Sequence, residues 1–342
     1  MNLYHKRVNH WIYECLTVLL VLVSVWWLYH NWSTHVNHLS RPISFRFLFE
    51  PAGFFLSEHW FAYEPSDPCW YAIFLASINT FVLGFSVVMA ATCLGLVLGA
   101  LAARPNTKTS RIIAGYVDFF RNTPLLVQLF FWYFGIFYQL PETSEPFLYG
   151  WFMINVKHLA IYIGDYFLFM TYLYGCLSIY FMFVQRSLGM SISSIMMFLI
   201  YLNFDHTNQI IISTEWLALF ICLTCYTTAY MTEIVRGAIM SLPKWIDETS
   251  EALGLSLWQK YYTIIFPITS TMIKPMFVNQ FISVMKNTSI GLLIGYPELM
   301  NVLTGTILNL SGEPMVCIFL MMLLYLVFSY VFELLLIHDR TL

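Results

Sequence analysis

The polar chemistry of this chain is concentrated in a few short stretches. The longest runs from Glu233 to Pro267: Glu233 and Arg236 lead through Pro243 into Asp247-Glu248-Thr249-Ser250-Glu251, then Gly254, and finally Ile264, Phe266 and Pro267. Proline has no N–H to continue a helix, so Pro243 breaks the preceding one. Asp247 is a helix-capping type, Glu248 and Glu251 add favourable charge near a helix start, and Gly254 suits the left-handed turn that ends a helix. The expected product is a short polar helix starting near Asp247, held between apolar runs. Such an element can transmit a rigid push from a soluble partner; an ordinary loop is the alternative.

A second stretch, Lys286-Asn287-Thr288-Ser289, interrupts an apolar run. Polar groups at membrane depth are costly and mark function by default. Asn287 and Thr288 offer donors and acceptors, and Lys286 can meet a carboxylate; an interhelical hydrogen-bond network is the alternative. In a third stretch, Asn122-Thr123-Pro124 breaks a helix and frees N–H groups able to face a carboxylate, with Gln128 about one turn further positioned to line a pathway. Arg121, just before the break, has lipid phosphate or Asp118 as a simpler partner. Glu233 can receive an ammonium group or pair with Arg236 three residues on.

Enzymatic chemistry is not expected. The chain has no G-x-x-x-x-G-K-[ST] phosphate loop. Cys222 and Cys225 form a C-x-x-C spacing but sit in an apolar run, where packing outweighs redox or zinc chemistry. His30, His35 and His38 cluster without a cysteine or acidic partner nearby, and Asp205, His158 and His206 have no recognisable catalytic or metal spacing. No catalytic or metal site is expected, and a net charge of −3 gives no footing for nucleic acid.

The elements that must position these residues follow from composition. Of 342 residues, 59% are hydrophobic and 10% charged, far below the charged share of about 25% in soluble domains. An all-α polytopic bundle is expected, with about eight spans of roughly 20 apolar residues. They fall at about 11–30, 70–102, 112–139, 159–184, 190–211, 214–236, 272–297 and 314–337. The run after Lys6 and Arg7 has no small-residue cleavage site behind it and reads as a retained helix. With both termini inside, Lys and Arg crowd the inner loops (Arg104, Lys108, Arg111, Arg186, Lys244, Lys260), whereas the outer loops keep Arg41, Arg46 and Lys157 and are otherwise acidic. Domain limits are expected at 1–69, a membrane helix and outer loop, and 70–337, the transmembrane domain. Ala91, Gly95, Gly99 and Ala103 form a small-xxx-small stripe that lets a helix approach closely, within or between subunits.

Glu248-Thr249-Ser250, Gly254 and Ile264-x-Phe266-Pro267 match the spacing of the EAA loop of ABC importer permeases. Thr249 and Ser250 stand for its alanines and Phe266 for its leucine. Tyr116–Gln128, Tyr226–Gly237 and Lys286–Ser289 resemble the polar-amino-acid branch, and Pro51-Ala52-Gly53-Phe54 resembles the general L-amino-acid subgroup. The similarity covers most of 70–139 and 214–337; the stretch 140–213 looks like that subgroup's extra helix pair. The resemblance implies a five-helix core and a cytoplasmic coupling loop over 237–267. In it Asp247, Glu248, Thr249, Ser250, Glu251 and Gly254 meet an ATPase. The polar groups set out above, Asn122, Thr123, Gln128, Glu233, Lys286, Asn287 and Thr288, form the expected substrate pathway. Partners implied are a dimer of ABC ATPase subunits holding ATP and Mg, a second permease, a periplasmic amino-acid-binding protein and an amino-acid substrate. The location implied is the bacterial inner membrane. A secondary transporter, or a polytopic membrane enzyme, is the rival reading.

Overall fold

In lipid, backbone N–H and C=O groups must be paired within the protein, which a helix does inside one segment. A computed structural model describes residues 2–39, 44–104, 106–142, 152–162 and 209–337, and these are mainly helical. The chain divides into Met1–Phe45 and Arg46–Leu342. The first unit holds helix α1, Asn2–Leu39, whose stretch Glu14–Asn31 is long and apolar enough to cross a membrane.

The second unit opens with a 3-10 turn at Arg46–Phe49 and a loop to Pro68. Helices α2 (Cys69–Ala102), α3 (Lys108–Asn122) and α4 (Leu125–Phe130) follow, with wider and tighter turns extending α4 to Gln139. After a small sheet come α5 (Thr214–Met240), α6 (Lys244–Ala252) and α7 (Phe266–Asn287). A 3-10 segment, Thr288–Ile294, ends at Gly295, and α8 runs over Pro314–Ile337. Among the described residues, α1, α2, α5 and α8 have the length and apolarity of membrane spans. The expected third span is broken in two, and the seventh carries Lys274, Asn279, Gln280 and Lys286.

Two sequence expectations need correction. The expected fourth and fifth spans lie largely outside the described residues, but their outer edges are strands. Strands β1 (Phe152–Ile154), β2 (His158–Tyr162) and β3 (Gln209–Ser213) form an antiparallel sheet in that order, with Leu159 opposite Ile212. The isoleucine run 210–212 suits a pleated surface. The division after Phe45 leaves the loop 46–68 in one unit with the bundle. Phe47, Ala52 and Leu56 of the loop are buried with Ala72, Leu75, Leu303 and Cys317 of the bundle. Second, α6 starts at Lys244, three residues before Asp247, because Pro243 already supplies the entry turn.

The small-residue stripe serves packing within the chain. A Cβ on Gly95 would stand 2.5 Å from the Met231 Cβ of α5, and one on Gly99 would collide with Val235. Leu83, Val87 and Ala91 of α2 join Leu219, Leu223 and Met231 of α5 and Phe277, Phe281 and Met285 of α7 in the larger apolar core.

Candidate functional site

Helix α6 follows α5 after three residues. Its end is built as the sequence predicts: Gly254 has φ +66, and the Leu255 N–H donates to the Ser250 carbonyl at 3.1 Å, the long bond of a Schellman ending. One face is fixed, with Ile246 and Ser250 buried and the Ser250 hydroxyl donating to the Ile246 carbonyl. The other face is presented: Glu248 and Thr249 are exposed, and so are the large apolar side chains Trp245 (62%) and Leu253 (67%). The side chains of Asp247 and Glu251 lie outside the described residues. Sequence reasoning missed Trp245 and Leu253, because exposure of an apolar side chain has no local signal.

The expected break at Asn122–Pro124 is present. Thr123 and Pro124 are extended between α3 and α4. Gln128 (5% exposed) closes the gap rather than leaving it open: its Nε2 donates to the Phe120 carbonyl (3.0 Å), the Thr123 carbonyl (3.1 Å) and the Thr123 hydroxyl (2.7 Å). Asn122 is exposed. Glu233 takes the alternative foreseen for it, since both carboxyl oxygens accept from the Arg236 guanidinium.

Between α5 and α7 lies a cavity of about 260 Å³. Tyr226, Thr227 and Tyr230 line it from α5, and Gln280, Ser283 and Asn287 from α7. The two tyrosine hydroxyls are 3.1 Å apart. Among the described residues, no hydrogen bond engages the amides of Gln280 or Asn287. Gln280 and Asn287 are half-buried and Ser283 is exposed, so the cavity is open and its free polar groups are available to water or a solute. Arg121, from the end of α3, lies over the Tyr230 ring, 5.2 Å from its centroid. Of the expected pathway residues, Asn287 faces this cavity. Lys286 is exposed beside it in sequence, and Thr288 is buried with its hydroxyl on the Met285 carbonyl. The lining positions recur at i, i+3 and i+7 on α7 and at i, i+1 and i+4 on α5. That helical spacing is the signal that would have found them.

The opposite end of the bundle holds a polar network that sequence reasoning did not foresee. Fully buried Asn79 donates from Nδ2 to the Glu58 carbonyl (3.0 Å) of the loop and to the Pro297 carbonyl (2.9 Å). Thr80 accepts from the Leu299 N–H at 2.9 Å. The buried Glu298 carboxyl accepts from the N–H groups of Met300 (2.8 Å) and Asn301 (2.7 Å) and from the Tyr325 hydroxyl (3.0 Å). The half-buried Glu58 carboxyl is pushed up to about 8, first by burial and then by the neighbouring Glu215.

Comparison with known proteins gives these features a context. The permease protein YhdX of Escherichia coli (strain K12) is 26% identical over 372 residues, which span 98% of this chain and 94% of YhdX. The general L-amino acid transport system permease protein AapQ of Rhizobium johnstonii is 25% identical, covering 92% of this chain and 88% of AapQ. A solved structure described as an amino acid ABC transporter with histidines shares the fold, with a TM-score of 0.52 at 19% identity over 80% of this chain and 95% of that one. The family model of binding-protein-dependent transport system inner membrane components matches residues 95–338, from the glycine seam of α2 to the end of α8. The chain therefore belongs to that family and is the multi-pass, membrane-embedded permease component of an importer of this type.

Proposed function

We propose that this permease forms the translocation path of an ATP-driven amino-acid importer and takes its power through α6 from a separate ATPase. The observation that carries the proposal is α6 itself. It is a short helix set off by Pro243 and Gly254, buried on one face through Ile246 and Ser250, and open on the other through Trp245, Glu248, Thr249 and Leu253. A stiff lever with an exposed, part-apolar face suits a soluble partner. Asp247, Glu248, Thr249, Ser250, Glu251 and Gly254 make up this coupling element. Its side of the membrane is the cytoplasm, and the N- and C-termini lie there too; the bias of Lys and Arg supports that orientation.

In the proposed assembly, two ATPase subunits hold ATP and Mg, and this chain pairs with a second permease, identical or paralogous. A periplasmic binding protein delivers the amino acid. Closure of the ATPase pair pushes α6 and rocks α5 and α7 about the cavity, so the path opens to the loaded binding protein; hydrolysis resets it. The name of AapQ, a general L-amino acid transport system permease protein, supports an amino acid as cargo. The path is assigned to the cavity with Asn287, to Lys286 and Thr288 beside it, and to Asn122, Thr123, Gln128 and Glu233 at the edge of α3, α4 and α5.

The decisive experiment reconstitutes the permease with its ATPase, second permease and binding protein in proteoliposomes and replaces Gly254 with Leu. The expected result is normal insertion, loss of stimulated ATP hydrolysis and loss of amino-acid uptake. Full uptake by Gly254→Leu would remove the coupling role.

A further inference from the structure

Resting on the reading just proposed, we infer that the α5–α7 cavity discriminates by charge: it admits amino acids with neutral or acidic side chains and rejects dibasic ones. Its polar lining is uncharged, namely the hydroxyls of Tyr226, Thr227, Tyr230 and Ser283 and the amides of Gln280 and Asn287. These groups satisfy a zwitterion and a carboxamide or carboxylate side chain, but none neutralises a second cation. One carboxylate stands three residues beyond Tyr230 on α5, and it is already engaged: both oxygens of Glu233 are held by Arg236. The charged side chain that touches the lining is positive: Arg121 lies over the Tyr230 ring.

The aromatic rings do not offset this. A tyrosine face attracts a cation, but one face of Tyr230 is covered by the Arg121 guanidinium, 5.2 Å from the ring centroid. A guanidinium or ammonium side chain entering the cavity would meet like charge where it needs an anion or a free ring. Arg121 is exposed, so the repulsion is partly screened and gives a preference of about ten-fold, not an absolute block. Arg121 is thus a specificity-determining residue.

The test uses the permease assembled with its ATPase and second permease in lipid nanodiscs, without the binding protein, so that the membrane cavity alone selects. Binding of radiolabelled glutamine, glutamate and arginine is measured by scintillation proximity. The expected result is arginine binding at least about ten-fold weaker than glutamine or glutamate. Arg121→Gln should narrow that gap several-fold. Ser283→Asp, which adds a carboxylate at an exposed lining position, should raise arginine affinity about ten-fold and lower glutamate affinity. Arginine bound as tightly as glutamine by the unaltered complex overturns the inference, as does an unchanged ratio in both variants. If proteoliposomes with the binding protein import amino acids while the nanodisc complex binds none of the three, the inference fails and the importer reading stands. If those proteoliposomes import no amino acid, the importer reading fails and takes the inference with it.

Discussion

The two ends of the bundle are built on opposite principles. At the end that holds the loop 46–68, buried polar groups tie segments far apart in sequence. Asn79 joins α2 to the loop and to Pro297, and Glu298 joins the turn after Gly295 to Tyr325 of α8. At the end that holds α6, local bonds dominate. Ser250 bonds Ile246, Thr249 bonds Trp245, and Leu255 bonds Ser250, while large side chains stay exposed. One end is fastened and the other is offered. A machine driven from outside needs both, since a lever does no work unless the structure it moves has a fixed reference.

Breaking the fastened end should have the largest effect on stability. Glu298→Ala leaves two N–H groups and one hydroxyl buried without an acceptor, each costing about 1–3 kcal/mol. Thermal unfolding in detergent should shift down by about 5 °C or more, and Glu298→Gln should recover part of it. Asn79→Ala removes two donated bonds to carbonyls and should cost about 1–3 kcal/mol. An unchanged melting curve for either variant would deny that the network fastens anything.

The loop adds a pH-dependent element of the same comparison. Glu58 in the folded protein titrates at about 8, against an ordinary value of 4.5. The folded state therefore holds a proton that the unfolded chain has released. Its stabilising effect is complete below about pH 4.5, declines as pH rises towards 8, and is constant above that. Glu58→Gln keeps the neutral form. At pH 8 it should melt above the parent by about 2 °C, equivalent to at least about 1 kcal/mol, and at pH 4 the two should coincide. A gap independent of pH would contradict this. At the offered end, Gly254→Ala places a Cβ at φ +66 and should cost only about 1 kcal/mol, while uptake in proteoliposomes falls more steeply than stability.

The contrast between the ends also explains what could be read in advance. Local features are written locally: Pro243 opens α6 and Gly254 closes it at the offered end, and Asn122-Thr123-Pro124 breaks α3 from α4 beside the middle of α5, each within a few residues. The long apolar runs of α2, α5 and α8 were equally legible because span length is a property of a window. The fastened end was not legible, because Asn79 and Pro297 meet across 218 positions and nothing near Asn79 names its partner. The cavity was half legible: Asn287 stands in a conspicuously polar tetrad, whereas Gln280 and Ser283 become meaningful only when α5 closes the other wall. The strands at 152–162 and 209–213 were hidden by their apolarity, since short apolar runs do not distinguish strand from buried helix by periodicity alone.

Trp245→Ala should have the smallest effect on stability and tests the contrast most sharply. Trp245 is 62% exposed and its side chain is not part of the packed face of α6, so truncation should alter unfolding by no more than about 0.5 kcal/mol. If α6 is offered to a partner, the same change should weaken the complex with the ATPase strongly. A tryptophan buried at the centre of an interface is a frequent hot spot, and about 2 kcal/mol or more corresponds to a loss of roughly thirty-fold in affinity. Pull-down titration of detergent-solubilised permease against purified ATPase reads this directly, with Glu298→Gln as the comparison variant that should lose stability and keep affinity. Opposite outcomes, a stable ATPase complex with Trp245→Ala and a weakened one with Glu298→Gln, would mean that the partner seats on the fastened end and that the lever has been placed at the wrong end of the bundle.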